Sequence, residues 1–237
     1  MPDLPLDSRE EMLARFRRRQ SRLYRWMRGP LPLVYDTAER PLPHAEGVRL
    51  WIGGAGSPVP QGFVNVDFEA FPGVDVAADV QHLSFCDNSV AAIECNAVLE
   101  HVPNPIAAVA EMVRVLRPGG FLHVIVPFQQ PFHAYPSDYQ RWTRQGLRRL
   151  MTDANCVVVA DGIHTGPTAK MLAYLCEYCR ILAPAKLGKI AYAAANWLVW
   201  PLRYLDIWLN RKPNAHILAN TLFILAEKKR PVAGLTR

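Results

Sequence analysis

Four apolar runs, each stopping abruptly at a polar or turn residue, constrain this chain more than any other feature. They are Phe63 to Val66 before Asp67, Val74 to Ala78 before Asp79, Val90 to Cys95 before Asn96, and Phe121 to Val126 before Pro127. None shows a clean two-residue alternation, so none reads as a strand with one wet face. Short runs of this kind, each broken by a single polar residue (Asn65, Asp75, Glu94 and His123), suit strands buried on both faces, as in a parallel α/β sheet. Ligands in such sheets sit at the carboxyl ends of the strands. Asp67 and Asp79 therefore fall in the row of positions from which a carboxylate can reach a bound molecule.

A glycine turn, Gly53-Gly54-Ala55-Gly56, opens that row after Arg49 to Ile52. Glycine lets backbone approach a ligand closely. A dinucleotide loop asks for G-x-G-x-x-G opening a full helix, with an acid about 20 residues on. Ala55 breaks that spacing and Asp67 comes too early, which disfavours a nicotinamide-dependent oxidoreductase. Taken alone, such a turn is more often an ordinary tight connection. Further on, Asn104 as N-cap and Pro105 at the first position begin a helix. Ile106, Val109, Met112, Val113 and Leu116 mark its buried face, and Pro118-Gly119-Gly120 ends it.

Together with the segments Asp79 to Phe85 ("D-x-x-x-L-x-F"), Leu99 to Val102 ("L-E-H-V") and Arg114 to Gly120 ("R-V-L-R-P-G-G"), these features resemble the class I S-adenosylmethionine-dependent methyltransferases, in particular the type 11 group. The resemblance runs on through Pro127-Phe128, His133, Pro136, Asp138-Tyr139, Arg141-Trp142-Thr143 and Gly146-Leu147. It covers roughly residues 48–160, plus a closing strand near His216 to Glu227. It implies a Rossmann-like seven-stranded sheet, mostly parallel with an antiparallel last strand, and S-adenosyl-L-methionine as cofactor. By the same resemblance Gly53, Gly54 and Gly56 line the methionine and ribose, Asp67 accepts from the ribose hydroxyls, Asp79 and the Val80 backbone meet the adenine, and Asn96 and Ala97 border the methionine end. Methyl transfer to a hydroxyl needs alignment and removal of a proton. His133 is the first candidate base, with Asp138 to orient it, and His101 is the alternative. Each of these side chains also has a structural reading, as a loop cap or part of a loop network.

Two departures from the family pattern stand out. Trp51 occupies the place, two residues before the first glycine, where the family carries an acid. Only Ser57 to Gly62 separate the glycine turn from the second strand, although a parallel crossover takes about a dozen residues. The first crossover is therefore expected to be shortened, without its helix. These departures leave open a binding protein that keeps the fold without turnover.

The net charge of +6 is local. Arg9, Arg15, Arg17, Arg18, Arg19, Arg22, Arg25 and Arg28, set against Glu10 and Glu11, account for all of it. With Met12, Phe16, Leu23 and Met27 they read as a basic amphipathic helix in an N-terminal extension over 1–45, suited to a membrane surface or a partner. A solvated helix packed on its own domain reads equally well. No nucleic-acid motif accompanies the charge. The methyltransferase-like domain is placed at 46–237, with a helical insertion at 167–213 rich in Leu, Ala, Tyr and Trp. Ile190 to Leu202 lacks charge but is too short to span a bilayer, and Pro201, Arg203 and Asp206 break any apolar continuation toward residue 210. Trp197, Trp200 and Trp208 favour an interface. The insertion thus reads as a cap, a homodimer surface, or an interfacial element admitting a lipid-linked acceptor in place of a plain small molecule. Five scattered cysteines give no zinc spacing, so no metal is expected. The polar, proline-punctuated start is unlike a signal peptide, and the expected location is cytoplasmic, with peripheral membrane attachment as the variant reading.

Overall fold

Val90–Asn96 forms the strand β4, buried on both faces along nearly its whole length, as its apolar composition requires. Around it a seven-stranded sheet is built from β1 (Val48–Ile52), β2 (Val64–Asp67), β3 (Val76–Ala77), β4, β5 (Leu116–Pro127), β6 (Cys156–Thr165) and β7 (Thr221–Lys228), in the order β3-β2-β1-β4-β5-β7-β6. This computed structural model describes residues 21–22, 42–54, 58–134 and 136–231. The basic amphipathic helix expected before residue 45, Gly56 of the glycine turn and Tyr135 lie outside the described residues, apart from Ser21 and Arg22 and the short stretch from Leu42.

The first five strands run parallel, with Leu50 opposite Val64 and Ile93, and Ile93 opposite Leu122. β7 runs against β6: Asn220 N–H donates to the Thr165 carbonyl at 2.9 Å at one end, and Lys229 N–H to the Asn155 carbonyl at 3.1 Å at the other. The mostly parallel sheet with an antiparallel last strand is therefore the one the sequence implied. No helix occurs between β1 and β2 among the described residues, in keeping with the shortened crossover.

Contacts divide the chain into two compact units. The first comprises 38–126, 139–162 and 223–237. Its helix α1 (Pro105–Val115) is capped by Asn104, whose Oδ1 accepts from Ala107 N–H at 3.1 Å. Val109, Met112 and Val113 are buried as expected, but Ile106 in the first turn is exposed. Periodicity locates the stripe around a helix; it does not say where along the helix the cover begins. The helix also stops earlier than Pro118 requires. Lys228 Nζ donates to the Val113 carbonyl at 2.7 Å and the Leu116 carbonyl at 2.6 Å, so a cation from β7 satisfies the orphan carbonyls at its end. Pro118 to Gly120 then lie in an irregular start of β5, where the pairing with β4 slips between Val90 and Ala92. Helix α2 (Arg144–Asp153) is capped by Thr143 and tied by Arg144 and Arg148 to Asp161.

The second unit comprises 1–37, 127–138 and 163–222. Its described part is mainly helical: α3 (Pro167–Leu182), α4 (Gly188–Val199), a 3-10 segment Trp200–Leu205, the short α5 (Asp206–Leu209), and a 3-10 turn Ala215–Leu218. α3 begins at Gly166, which has no side chain to cap it. Asp206, almost fully buried, takes that role from far along the chain: its carboxylate accepts from Thr168 N–H at 2.8 Å and Ala169 N–H at 2.9 Å. A Cβ on Gly166 would lie 2.6 Å from Asp206 Cγ, so the glycine is what admits the carboxylate.

Candidate cofactor and acceptor sites

In the first unit the strand order reverses between β1 and β4, the position where open α/β sheets hold ligands beyond their strand ends. Gly53 follows β1 with φ +86°, donating its N–H to the Val66 carbonyl at 3.0 Å. A Cβ there would sit 2.2 Å from Val98 Cγ2, and one on Gly54 would sit 2.2 Å from Asn65 Oδ1. Both glycines thus leave room for a neighbouring side chain packed against the turn, Val98 at one and the buried Asn65 at the other. Asp67, at the end of β2, is only 4% exposed. Its backbone carbonyl accepts from Ala78 N–H at 2.8 Å, which leaves it beside the end of β3.

Asp79 is half-exposed, and its Oδ1 accepts from Gln81 N–H at 2.9 Å, closing a turn in which Val80 is buried. The carboxylate therefore shapes this loop as well as standing at a strand end. A second device holds the same loop. Arg114 Nη2 donates to the carbonyls of Leu83 and Phe85, each at 3.0 Å, while Glu111 accepts from Leu83 N–H at 2.7 Å and from Arg114 Nε at 2.7 Å. Arg114 holds the Glu111 carboxyl below the usual carboxylate range. Two segments that look like independent sequence motifs are one hydrogen-bonded assembly.

Asn96 ends β4, and Ala97 follows with φ +53°, donating its N–H to the Ile125 carbonyl at 3.0 Å. Among the described residues the other non-glycine positions with positive φ are Asn88 and Asn155, and asparagine tolerates that region. Alanine does not, so Ala97 is a strained residue at a candidate site. His101 closes the 3-10 turn Leu99–His101, with Nε2 at 3.8 Å from the buried Glu100. That turn is strapped by Tyr139 N–H, which donates to the Glu100 carbonyl at 2.8 Å, and by Gln140 Nε2 on the carbonyls of Leu99 and Val102.

Sequence reasoning missed a buried pair in the middle of this sheet. Glu94 and His123 stand opposite each other on β4 and β5, with Nδ1 at 2.9 Å from both carboxylate oxygens. Glu94 sat inside what read as an apolar run. The neighbouring Cys95 thiol is pushed above its usual range, first by burial and then by Glu100 and Glu94, which makes it an inert core residue.

In the second unit the structure brings His133 and Asp138 together. His133 N–H donates to Asp138 Oδ2 at 2.8 Å, and the ring Nδ1 lies 2.9 Å from the Pro131 carbonyl and 3.6 Å from Asp138 Oδ2. A carbonyl only accepts, so Nδ1 carries the proton and the lone pair falls on Nε2. Asp138 is 1% exposed at its side chain and fixes the loop in this position. His133 lines a cavity of ≈ 200 Å³, whose wall also includes Phe132, Leu172, Tyr192, Asn196 and Arg203. Cys176, part of the same wall, is buried with its thiol pushed up to about 11, and Cys179 is half-buried; both are free thiols.

A parallel sheet whose strand order reverses between β1 and β4, with a buried carboxylate closing the second strand, defines the doubly wound α/β class, in which ligands sit beyond the carboxyl ends of the strands. Residues 61–124 match the family model described as a methyltransferase domain, of the type 11 group. An uncharacterized chloroplastic methyltransferase of Arabidopsis thaliana is 32% identical over 108 residues, covering 45% of this chain and 27% of that protein. A demethylmenaquinone methyltransferase of Renibacterium salmoninarum is 31% identical over 119 residues, covering 47% of this chain and 50% of that protein. The chain thus spans half or less of the length of these curated relatives. A Galdieria sulphuraria protein assigned as a sarcosine dimethylglycine methyltransferase shares the fold at a TM-score of 0.51 and 13% identity, over 78% of this chain and 79% of that one. The family match thus places type 11 methyltransferase-domain sequence on the segment from just before β2 into β5.

Proposed function

We propose that the chain transfers a methyl group from S-adenosyl-L-methionine to a hydroxyl on a small-molecule or lipid-linked acceptor. The observation that carries this reading is the buried Asp67 at the end of β2 within the matched domain. Its two oxygens suit a vicinal diol, since an anionic acceptor makes the stronger hydrogen bond. The residues present fit the cofactor: Gly53 and Gly54 supply bare backbone, the strained Ala97 and Asn96 border the end of β4, and Asp79 with Val80 forms an ordered loop. When bound, S-adenosylmethionine supplies an electrophilic methyl group on a sulfonium. His133 Nε2 accepts the proton of the acceptor hydroxyl, Asp138 and the Pro131 carbonyl hold the ring in the required tautomer, and the buried Leu172 adds apolar surface to the cavity wall. His101 is the alternative base.

A surface on the second unit supports an apolar or lipid-linked acceptor. Met171, Tyr174, Leu175, Tyr178, Ile181 and Leu182 form an exposed stripe at three- and four-residue spacing along α3, and Ile190, Trp197 and Leu198 are exposed on α4. Arg180, Lys186, Lys189, Arg211 and Lys212 are exposed among these elements. Apolar and aromatic side chains edged by cations match an anionic lipid surface. No helix among the described residues is long and apolar enough to cross a membrane.

A binding protein without turnover is the second reading, favoured by Trp51, which packs edge-on against Phe63 with ring centroids 5.7 Å apart. Methyl-labelled S-adenosylmethionine incubated with the protein and a mixed small-molecule and lipid extract separates the two. Labelled product is expected, falling by about 10² to 10⁴ in His133→Ala. Cofactor binding without label transfer would leave the binding protein, and equal transfer by His133→Ala would remove that residue as base.

A further inference from the structure

The connection from β3 to β4 is held largely from outside itself. Residues 78–89 contain no helix or strand, so their backbone groups need partners of another kind. Within the loop, His82 N–H donates to the Asp79 carbonyl and Phe85 N–H to the Leu83 carbonyl, each at 2.8 Å. The rest of the hold comes from α1. Its last turns carry Glu111 and Arg114, three positions apart and so on one face. Glu111 Oε1 accepts from Leu83 N–H, while a single Arg114 nitrogen, Nη2, donates to the carbonyls of both Leu83 and Phe85. The fork of the guanidinium is itself fixed: Nε and Nη2 meet the two oxygens of Glu111 at 2.7 and 2.8 Å, and Nη1 pairs with Asp87.

The clamped stretch begins four positions after Asp79. Asp79, Gln81 and His82 form one hydrogen-bonded turn, and Val80 and Leu83 are its buried anchors. The place of the Asp79 carboxylate relative to the sheet is therefore set by the register of α1, through the backbone of Leu83. Such control matters where a carboxylate reads a ligand, because recognition needs the acceptor held to within about 0.5 Å.

We propose that Glu111 and Arg114 are positioning residues for the cofactor's purine: acting through the Leu83 and Phe85 backbone, they fix Asp79 and Val80 where an amine on the purine edge is preferred. This role rests on the expectation that Asp79 and the Val80 backbone meet the adenine.

The full chain is titrated calorimetrically with S-adenosylhomocysteine and with S-inosylhomocysteine, which carries an oxygen in place of the purine amine. The wild type is expected to bind the inosyl compound about tenfold or more weakly, since a carboxylate finds no donor on that oxygen. Arg114→Met releases both carbonyls and leaves Glu111 without its cation. Binding of S-adenosylhomocysteine is expected to weaken, and the ratio of the two Kd values to fall by about threefold or more, because the ribose and methionine contacts that remain are common to both compounds. Lost stability alone lowers both apparent affinities by one factor and leaves the ratio unmoved. Should Arg114→Met fail to fold, Arg114→Lys decides: one ammonium cannot replace the planar fork, and the ratio is expected to fall in the same direction. An unchanged ratio in a folded variant, or equal binding of the two compounds by the wild type, overturns this role and leaves cofactor binding in place. Absence of binding by the wild type to either compound removes the cofactor reading itself, and this role with it.

Discussion

Gly53 shows how much of this site is decided by single residues. Its positive φ and the 2.2 Å approach that a Cβ would make to Val98 Cγ2 act together. Gly53→Ala combines backbone strain with overpacking, and a loss of about 1–3 kcal/mol in stability is expected. Denaturant unfolding measures it; a midpoint equal to wild type would mean that the β1 turn relaxes freely. At this scale the sequence was legible where chemistry and position coincide. Asp67 and Asn96 are expected at strand ends because mostly apolar runs need cover on both faces and stop where the cover stops, and they stand there, while Asp79 lies two residues beyond the short, half-covered β3. Glu94 and His123 were not legible, because each satisfies the other across two strands distant in sequence. Arg203 and Asp206 misled in the opposite direction. They read as polar interruptions that end an apolar stretch, and they are among the buried residues of their unit.

Among the elements, α3 depends on a residue outside it. Nothing around Gly166 signals a cap, and the fold alone brings Asp206 to the two N–H groups at the start of the helix. Asp206→Ala leaves both donors buried and unmet, which costs about 2 kcal/mol or more. Asp206→Asn keeps one acceptor oxygen and is expected to lie between the two. Thermal unfolding of the three proteins would show this ranking, and an alanine variant as stable as wild type would mean that water replaces the carboxylate. The early stop of α1 has a similar origin. Pro118 and Gly119 told where the chain must turn, but Lys228, more than a hundred positions away, caps the helix before they are reached. Long-range caps of this kind leave no local pattern in a sequence, whereas Asn104 and Pro105 at the other end of α1 do.

For the whole molecule, the exposed apolar side chains of α3 and α4 carry the membrane reading. The protein is expected to sediment with anionic liposomes at low salt. Salt should weaken the share due to Arg180, Lys186, Lys189, Arg211 and Lys212 and spare the share due to Trp197 and Trp208. Protein left in the supernatant at low salt would end that reading, and a dimer by sedimentation velocity would make the stripe a subunit contact. The central claim concerns the strand ends. Its most direct test is calorimetric titration of the full chain and of Asp67→Ala with S-adenosylhomocysteine and with NAD. The account predicts binding of S-adenosylhomocysteine but poor binding of NAD, and a tenfold to hundredfold weaker Kd in Asp67→Ala, corresponding to roughly 1.5–3 kcal/mol of charge-assisted hydrogen bonding. Equal affinity in the variant, or tighter binding of NAD, would contradict it.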